Sequence, residues 1–434
     1  MLRPNDEIVL KFRGVLDETE HLAPIDLRAY QHKLLVPLLQ HCRANIPFYA
    51  ARLEPVFCGG SIDLERWSQI PILTRAEAQA SADVMATSRV PPVAGEIARD
   101  ETSGSTGRPL VFTTNGLQAV AARAATDRLY RWWNFDGNRA MATFISRRKV
   151  PAPAPLGVTY RGWMAGKPEG LHHWLDMSAD SDQQLDWLLA RKPDYLTAYS
   201  STLRPLAERS LARGAALQLK RIIGVSNVLA PDTRALCREA FGAQIVDQYG
   251  ADEVGSIATE CPYCAHYHVA AECVIVEIVD EGGRPCKPGQ IGRVIVTPLY
   301  AYATPFIRYE LGDYATAGPT EEPCPLKLPR LSRIVGRYRN TFRLSGGRTV
   351  YPLFSIARLR DFVPMVQFQV IQTAVDAVEV RYVPLPGAGP ADTEGLTAYL
   401  RTEIDPSLGV TATAVASIER SADGKFEDFV SLVS

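Results

Sequence analysis

The 434-residue chain has no apolar run approaching the roughly 18–20 residues that a membrane helix requires. Neither sign of charge is in excess: 47 Lys and Arg stand against 48 Asp and Glu. Bulk-charge binding of nucleic acid or of a membrane surface is therefore not expected. Cysteine is sparse, eight residues in all, too few for the disulfide framework of a small secreted domain. There is no internal repeat with a period of about 20–50 residues, no low-complexity tract and no GxxxxGK(S/T) phosphate loop. The amino-terminal MLRPNDEIVLKFRG mixes both charges and lacks the apolar centre of a secretion signal. These absences together lead to the expectation of a cytoplasmic protein.

What remains is an ordinary globular composition, 46% hydrophobic and 22% charged, in a chain long enough for two or three domains of roughly 100–200 residues. Residues 27–55 read as a helical pair ending in NIPFYAARL, and IPILTRAEAQA (70–80) as a Pro-led turn into a helix capped by Thr74. Between about 100 and 250, helical stretches alternate with short apolar runs: YLTAYS (195–200), LKRIIGVSN (219–227) and AQIVDQYG (243–250). That alternation predicts an α/β sheet with polar residues at its strand ends. In 273–299, two β-branched runs flank a Gly/Pro-rich connector, which predicts antiparallel strands. After RIVGRYRN (333–340), the last 95 or so residues have their own strands and helices, enough for a small α+β domain on a hinge near 338–340.

Two polar clusters stand out. Residues 101–109, ETSGSTGRP, hold the densest set of hydroxyls and glycines, followed by the strand-like LVFTT. Such a loop can cradle a polyphosphate with exposed N–H groups, hydroxyls and the Arg108 charge, or it can be a solvated turn. The second is Cys261-Pro-Tyr-Cys264-Ala-His266-Tyr-His268. Cys-x₂-Cys followed by two histidines offers soft thiolates and imidazoles, a set suited to tetrahedral zinc. If 273–280 and 293–299 pair, Cys324 returns to the same edge. The favoured ligands are Cys261, Cys264, His268 and Cys324, with His266 as substitute. The alternative is a group of ordinary thiols and surface histidines.

Five segments in order carry a resemblance. TSGSTGRP (102–109) resembles the phosphate loop of the adenylate-forming superfamily, DQYGADEVG (247–255) its YGxTE-type segment, and RYELGD (308–313) its YRTGD segment. GRYRN (336–340) resembles its hinge and GKF (424–426) its carboxy-terminal lysine segment. IPFYAARL, ILTRAEA and the total length resemble the short phenylacetate–CoA ligase branch. The resemblance implies a large multi-sheet α/β adenylation domain (1–337) and a small mobile α+β domain (338–434).

It also implies a chemistry: ATP and a carboxylic acid give an acyl adenylate, which a thiol, in the commonest case coenzyme A, converts to a thioester. By that resemblance Thr102, Ser103, Gly104, Ser105, Thr106 and Gly107 hold the phosphates, and Glu253 carries Mg²⁺, a hard cation that wants carboxylate oxygen. Asp313 accepts the ribose hydroxyls, Arg337 adds charge there, and Lys425 bridges the carboxylate and the α-phosphate. Asp247, Gln248, Tyr249 and Gly250 lie by the nucleotide, and Ser226 and Asn227 border the adenine where the family has a Gly-Glu pair. Trp133, Tyr199, Ser200, Gly224, Tyr249 and Ala251 fall in the segments that build the acid pocket. The aromatic content of those segments, with Trp132, Phe135, Trp163 and Trp174, leads to the expectation of an aromatic or medium-sized apolar acid. An amine or carrier-protein acceptor, an inactive zinc-stabilised scaffold and a homodimer stay open at this point.

Overall fold

The computed structural model describes residues 4–102, 109–146, 149–226, 228–321, 323–337, 342–347, 349–350, 356–418 and 429–433. Asn5 caps α1 (Asp6–Thr19) by accepting from the Glu7 amide at 2.8 Å. Pro24 opens α2 (Pro24–Asn45), at a position where its missing N–H costs nothing. Thr74 caps α3 (Arg75–Ala80) through the Glu77 amide at 3.2 Å, where the sequence places that helix. Strands β1 (Ile97–Glu101) and β2 (Val111–Asn115) pair antiparallel on either side of residues 102–110. Helix α4 (Gly116–Trp132) follows.

Among the described residues, twelve strands make the main sheet. Its parallel centre is β3 (Met141–Ile145), β5 (Leu171–Asp176), β6 (Tyr195–Tyr199), β7 (Arg221–Val225) and β8 (Gln244–Ala251), with β4 (Val158–Arg161) antiparallel at the edge. The antiparallel half is β9 (Gly255–Glu260), β10 (Tyr267–Val269), β11 (Val274–Val279), β12 (Ile291–Pro298), β13 (Tyr309–Ala317) and β14 (Arg330–Arg337). The spatial order is β11-β12-β13-β14-β10-β9-β8-β7-β6-β3-β5-β4. β11 and β12 pair from Val274 opposite Pro298 to Val279 opposite Arg293, the antiparallel pair expected from the two β-branched runs.

Helices α5 (Ser181–Arg191), α6 (Ser200–Ala212) and α7 (Pro231–Phe241) join the parallel strands. They bury Leu185, Leu203, Leu206 and Phe241 against Leu196, Ala198, Ile222 and Ile245, and so seal one face of the sheet. The carboxy-terminal strands β15 (Met365–Ala374), β16 (Ala377–Pro384), β17 (Gly409–Ala414) and β18 (Phe429–Ser431) form a separate sheet in the order β17-β16-β15-β18. Helices α8 (Ile356–Phe362) and α9 (Thr393–Glu403) pack on it around Leu359, Val370, Val380, Leu396 and Leu400. The expected hinge at 338–340 lies outside the described residues. No described helix is long and apolar enough to cross a membrane.

Candidate active site and metal centre

A short stitch builds the first part of the site. Leu73 donates to the Arg308 carbonyl and accepts from the Glu310 amide, both at 2.9 Å, which holds the start of α3 against the start of β13. Arg75 therefore projects beside Tyr309. Its Nη1 lies 3.2 Å from Glu253 Oε1 and 3.2 Å from the Tyr309 hydroxyl, while Nη2 donates to Thr102 Oγ1 at 2.7 Å. Tyr309 donates to the same Glu253 oxygen at 3.1 Å. The Glu253 side chain is only 4% exposed, so its charge depends on these donors. Gln118 fixes the backbone below it by donating to the Glu253 carbonyl at 3.1 Å. The Thr102 amide donates to the Leu110 carbonyl at 2.9 Å and the Leu110 amide to Thr102 Oγ1 at 3.0 Å, which closes the base of the loop. Ser103, Gly104, Ser105, Thr106 and Gly107, within that loop, lie outside the described residues.

The second part comes from the other end of the same strand. Successive side chains of a strand alternate between faces, so Tyr309 and Asp313, four apart on β13, share one. Tyr249 donates to Asp313 Oδ2 at 2.8 Å, and Arg337, opposite Asp313 in the β13–β14 register, places Nε 3.6 Å from Oδ1. Burial raises the Tyr249 phenol well above its usual range, and the charges of Asp313 and Glu253 push the same way. It stays a donor.

The third part lies at the carboxyl ends of β7 and β8. Asp247 accepts from the Tyr267 hydroxyl at 2.6 Å, and its amide donates to Glu260, which Arg234 holds at 3.0 Å. Burial carries the Asp247 carboxyl up to about 6 despite the Tyr267 bond. A Cβ on Gly224 would lie 3.2 Å from Ser200 Oγ and 3.8 Å from Asp247 Oδ1, so the three converge. A Cβ on Gly250 would stand 2.7 Å from the Gly255 carbonyl oxygen, a clash that reserves the position for glycine. Ala251 ends β8 beside it. Gln248 donates to Ser256 Oγ at 3.2 Å. Ser226 is exposed with φ +71°, and Asn227 lies outside the described residues.

No family model matches the chain. It is 22% identical over 400 residues to protein CapK of Staphylococcus aureus, across 88% of this chain and 84% of that protein. It is 24% identical over 356 residues to a phenylacetate-coenzyme A ligase of Thermus thermophilus, across 77% and 75%. The structure of 2-hydroxyisobutyryl-CoA ligase in its postadenylation state with 2-HIB-AMP superposes with a TM-score of 0.72 at 20% identity, covering 96% of this chain and 91% of that one. The chain has the adenylate-forming ligase fold.

On this adenylate-forming framework the structure gathers Thr102, Tyr249, Glu253, Asp313 and Arg337. It adds Arg75 and Tyr309, which the sequence reading missed, although both lie in segments it quoted (ILTRAEA and RYELGD). Lys425 lies outside the described residues. Trp133 is packed in the core with its indole N–H donated to the Glu260 carbonyl at 3.0 Å. Tyr199 is half-buried at the end of β6, with Ser200 buried next to it.

A separate cluster sits where β9, β10 and β14 meet. One donor atom each from Cys261, Cys264, His268 and Cys324 lies within 4.8 Å of all the others. Cys261 and Cys324 sulfurs are 3.8 Å apart, and His268 Nε2 is 3.4 Å from Cys324 Sγ. His268 Nδ1 faces the Leu328 carbonyl at 3.0 Å, a bond that puts the proton on Nδ1 and aims the Nε2 lone pair at the sulfurs. Burial lowers His268 to about 4 and raises the Cys261 thiol to about 12. His266 is not in the group; its carbonyl instead accepts from the Cys261 amide at 2.9 Å.

Proposed function

We propose that the chain activates a small carboxylic acid with ATP and passes the acyl group to the thiol of coenzyme A. The observation that carries this reading is the convergence of Thr102, Glu253 and Tyr309 on Arg75, with Asp313, bonded to Tyr249, on the same face of β13 as Tyr309. A carboxylate oxygen attacks the α-phosphorus, the bond from that phosphorus to the bridging oxygen breaks, and pyrophosphate leaves. The protein's task is to hold two anions in line and stabilise the charge that develops on phosphate oxygen. Residues 102–107 hold the phosphates, and Asp313 accepts the ribose hydroxyls with Tyr249 and Arg337 fixing its carboxylate. Glu253, already ordered by Arg75 and Tyr309, is the ligand for Mg²⁺, which when bound neutralises phosphate charge. Lys425 delivers a cation to the reacting carboxylate, and the thiolate then attacks the acyl carbon and expels AMP.

Cys261, Cys264, His268 and Cys324 are a three-sulfur, one-nitrogen set that fits tetrahedral zinc. Bound there, zinc ties the Cys261–His268 turn to the segment around Cys324 and supplies structure, not catalysis.

Acid-dependent exchange of labelled pyrophosphate into ATP tests the first half-reaction, and thioester formation on adding coenzyme A tests the second. Glu253→Gln and Lys425→Ala should each reduce exchange by about 100-fold or more; near-normal exchange in both would overturn the assignment.

A further inference from the structure

The acid side of the site has a chemistry of its own. In β3, β5 and β6, burial alternates with period two. One parity, including Ala142, Phe144, Leu175 and Leu196, is sealed beneath α5–α7. The opposite face is closed only at its amino-terminal half. There Met141, Tyr195 and Ile223 are buried, and Phe135 and Trp163 pack on Tyr195 with ring centroids 4.6 and 5.8 Å away. Beyond this aromatic floor the same face is half-open: Thr143, Thr197 and Tyr199, with His172 and Trp174 on the adjoining strand and Gln248 farther across. Ile145 and Val225 form the apolar rim.

The half-open stretch is mostly polar. Thr143 Oγ1 and His172 Nε2 are 2.8 Å apart, and burial keeps that imidazole neutral, so the pair can present either a donor or an acceptor to a ligand. The indole Nε1 of Trp174 is buried without a hydrogen-bond partner, a donor that calls for an acceptor. Of the aromatics expected to make the pocket apolar, Phe135 and Trp163 form the floor, Trp174 stays on the half-open stretch, and the indole N–H groups of Trp132, Trp133 and Trp163 are already bonded. Trp132 donates to Glu20, Trp133 to the Glu260 carbonyl and Trp163 to the Arg139 carbonyl, and all three are buried. From Thr143 or Thr197 to the strand ends is two residues, about 7 Å, which leaves depth for a few carbon atoms.

Resting on the activity proposed above, we infer that the acid is compact and carries a hydroxyl or oxo group, held by Thr143, His172 and Trp174. It is not an aryl or fatty acid. A site built to hydrogen-bond a substituent discriminates strongly against the analogue that lacks it, because its own polar groups are then left unpaired.

Pyrophosphate exchange with isosteric pairs tests this: lactate against isobutyrate, 2-hydroxyisobutyrate against pivalate, and 3-hydroxybutyrate against isovalerate, with phenylacetate, benzoate and octanoate alongside. The expected result is at least one hydroxy acid favoured over its isostere by about 100-fold or more in kcat/KM. Thr143→Val and Trp174→Phe should each shrink that preference about tenfold or more. A panel led by phenylacetate, benzoate or octanoate overturns the inference and leaves the activating reading intact. So does an unchanged preference in both variants, or an effect confined to KM for coenzyme A. Exchange with no acid also overturns it. ATP·Mg²⁺ binding by calorimetry then separates the cases: binding that is lost in Glu253→Gln keeps the nucleotide site, and no binding at all overturns the activating reading too.

Discussion

Asp247 shows at single-residue scale how a site is maintained against stability. Its carboxyl is buried, and its ordinary value of 3.8 rises to about 6. The folded protein therefore holds this proton more tightly than the unfolded chain does. The stability the group contributes is complete below about pH 4 and is lost as pH climbs through 6, at a cost of about 3 kcal/mol. Asp247→Asn keeps an acceptor for Tyr267 and removes the charge. It should raise Tm by a few degrees at pH 7.5 and leave it unchanged near pH 4, as calorimetry at the two pH values would show. Arg75 has the opposite sign. Arg75→Met strands the buried Glu253 carboxylate with Tyr309 alone, and should destabilise by about 3–5 kcal/mol in urea titration. Arg75→Lys should recover part of that, because a point charge cannot span Glu253 and Thr102 as the guanidinium fork does.

At the scale of elements, the strands announced themselves and their contacts did not. β-branched runs mark β11 and β12, the cap at Thr74 marks α3, and the Gly/Pro-rich connector separates the two strands, since all of this is local. Arg75 and Glu253 are 178 positions apart and Tyr309 is another 56 beyond Glu253, so their meeting depends on the Leu73–Tyr309 bridge, which no spacing encodes. The aromatic segments are a related case: composition tells that tryptophans are near a pocket, but only packing tells that the N–H groups of Trp132, Trp133 and Trp163 already have partners. The Cys-x₂-Cys turn is the intermediate case. Its spacing gives three of the four donors, and Cys324 arrives through strand pairing. Purified protein should carry about one zinc per chain by elemental analysis. Cys261→Ser and Cys324→Ser should each lose it and cost on the order of 3 kcal/mol or more. Metal-free protein of unchanged stability would contradict this.

At the scale of the whole molecule, the two sheets meet through a defined ionic contact. Arg360 on α8 of the small sheet domain donates from both terminal nitrogens to Glu208 on α6, with Nη2 to Oε2 at 2.9 Å. Glu208 is held in turn by Arg204 at 3.2 Å, and Arg204 reaches Asp232 on α7 at 2.5 Å. The pair is about 30% exposed on each side, so solvent screens it and its contribution is near 1 kcal/mol, not the several a buried pair would involve. A contact of that strength can open and close again. Helix α6 starts at Ser200, at the edge of the site, so the same contact that docks the small domain also bears on the helix that frames the acid side. If that domain delivers Lys425, weakening the contact should slow adenylation without touching the nucleotide site. Glu208→Gln and Arg360→Gln should each lower pyrophosphate exchange a few-fold, leave ATP affinity unchanged, and give no further loss when combined. The difference from wild type should fade by about 0.5 M salt, where the screening length is only a few ångströms. Additive losses in the double variant would show that the two side chains act independently and that another contact orients the small domain.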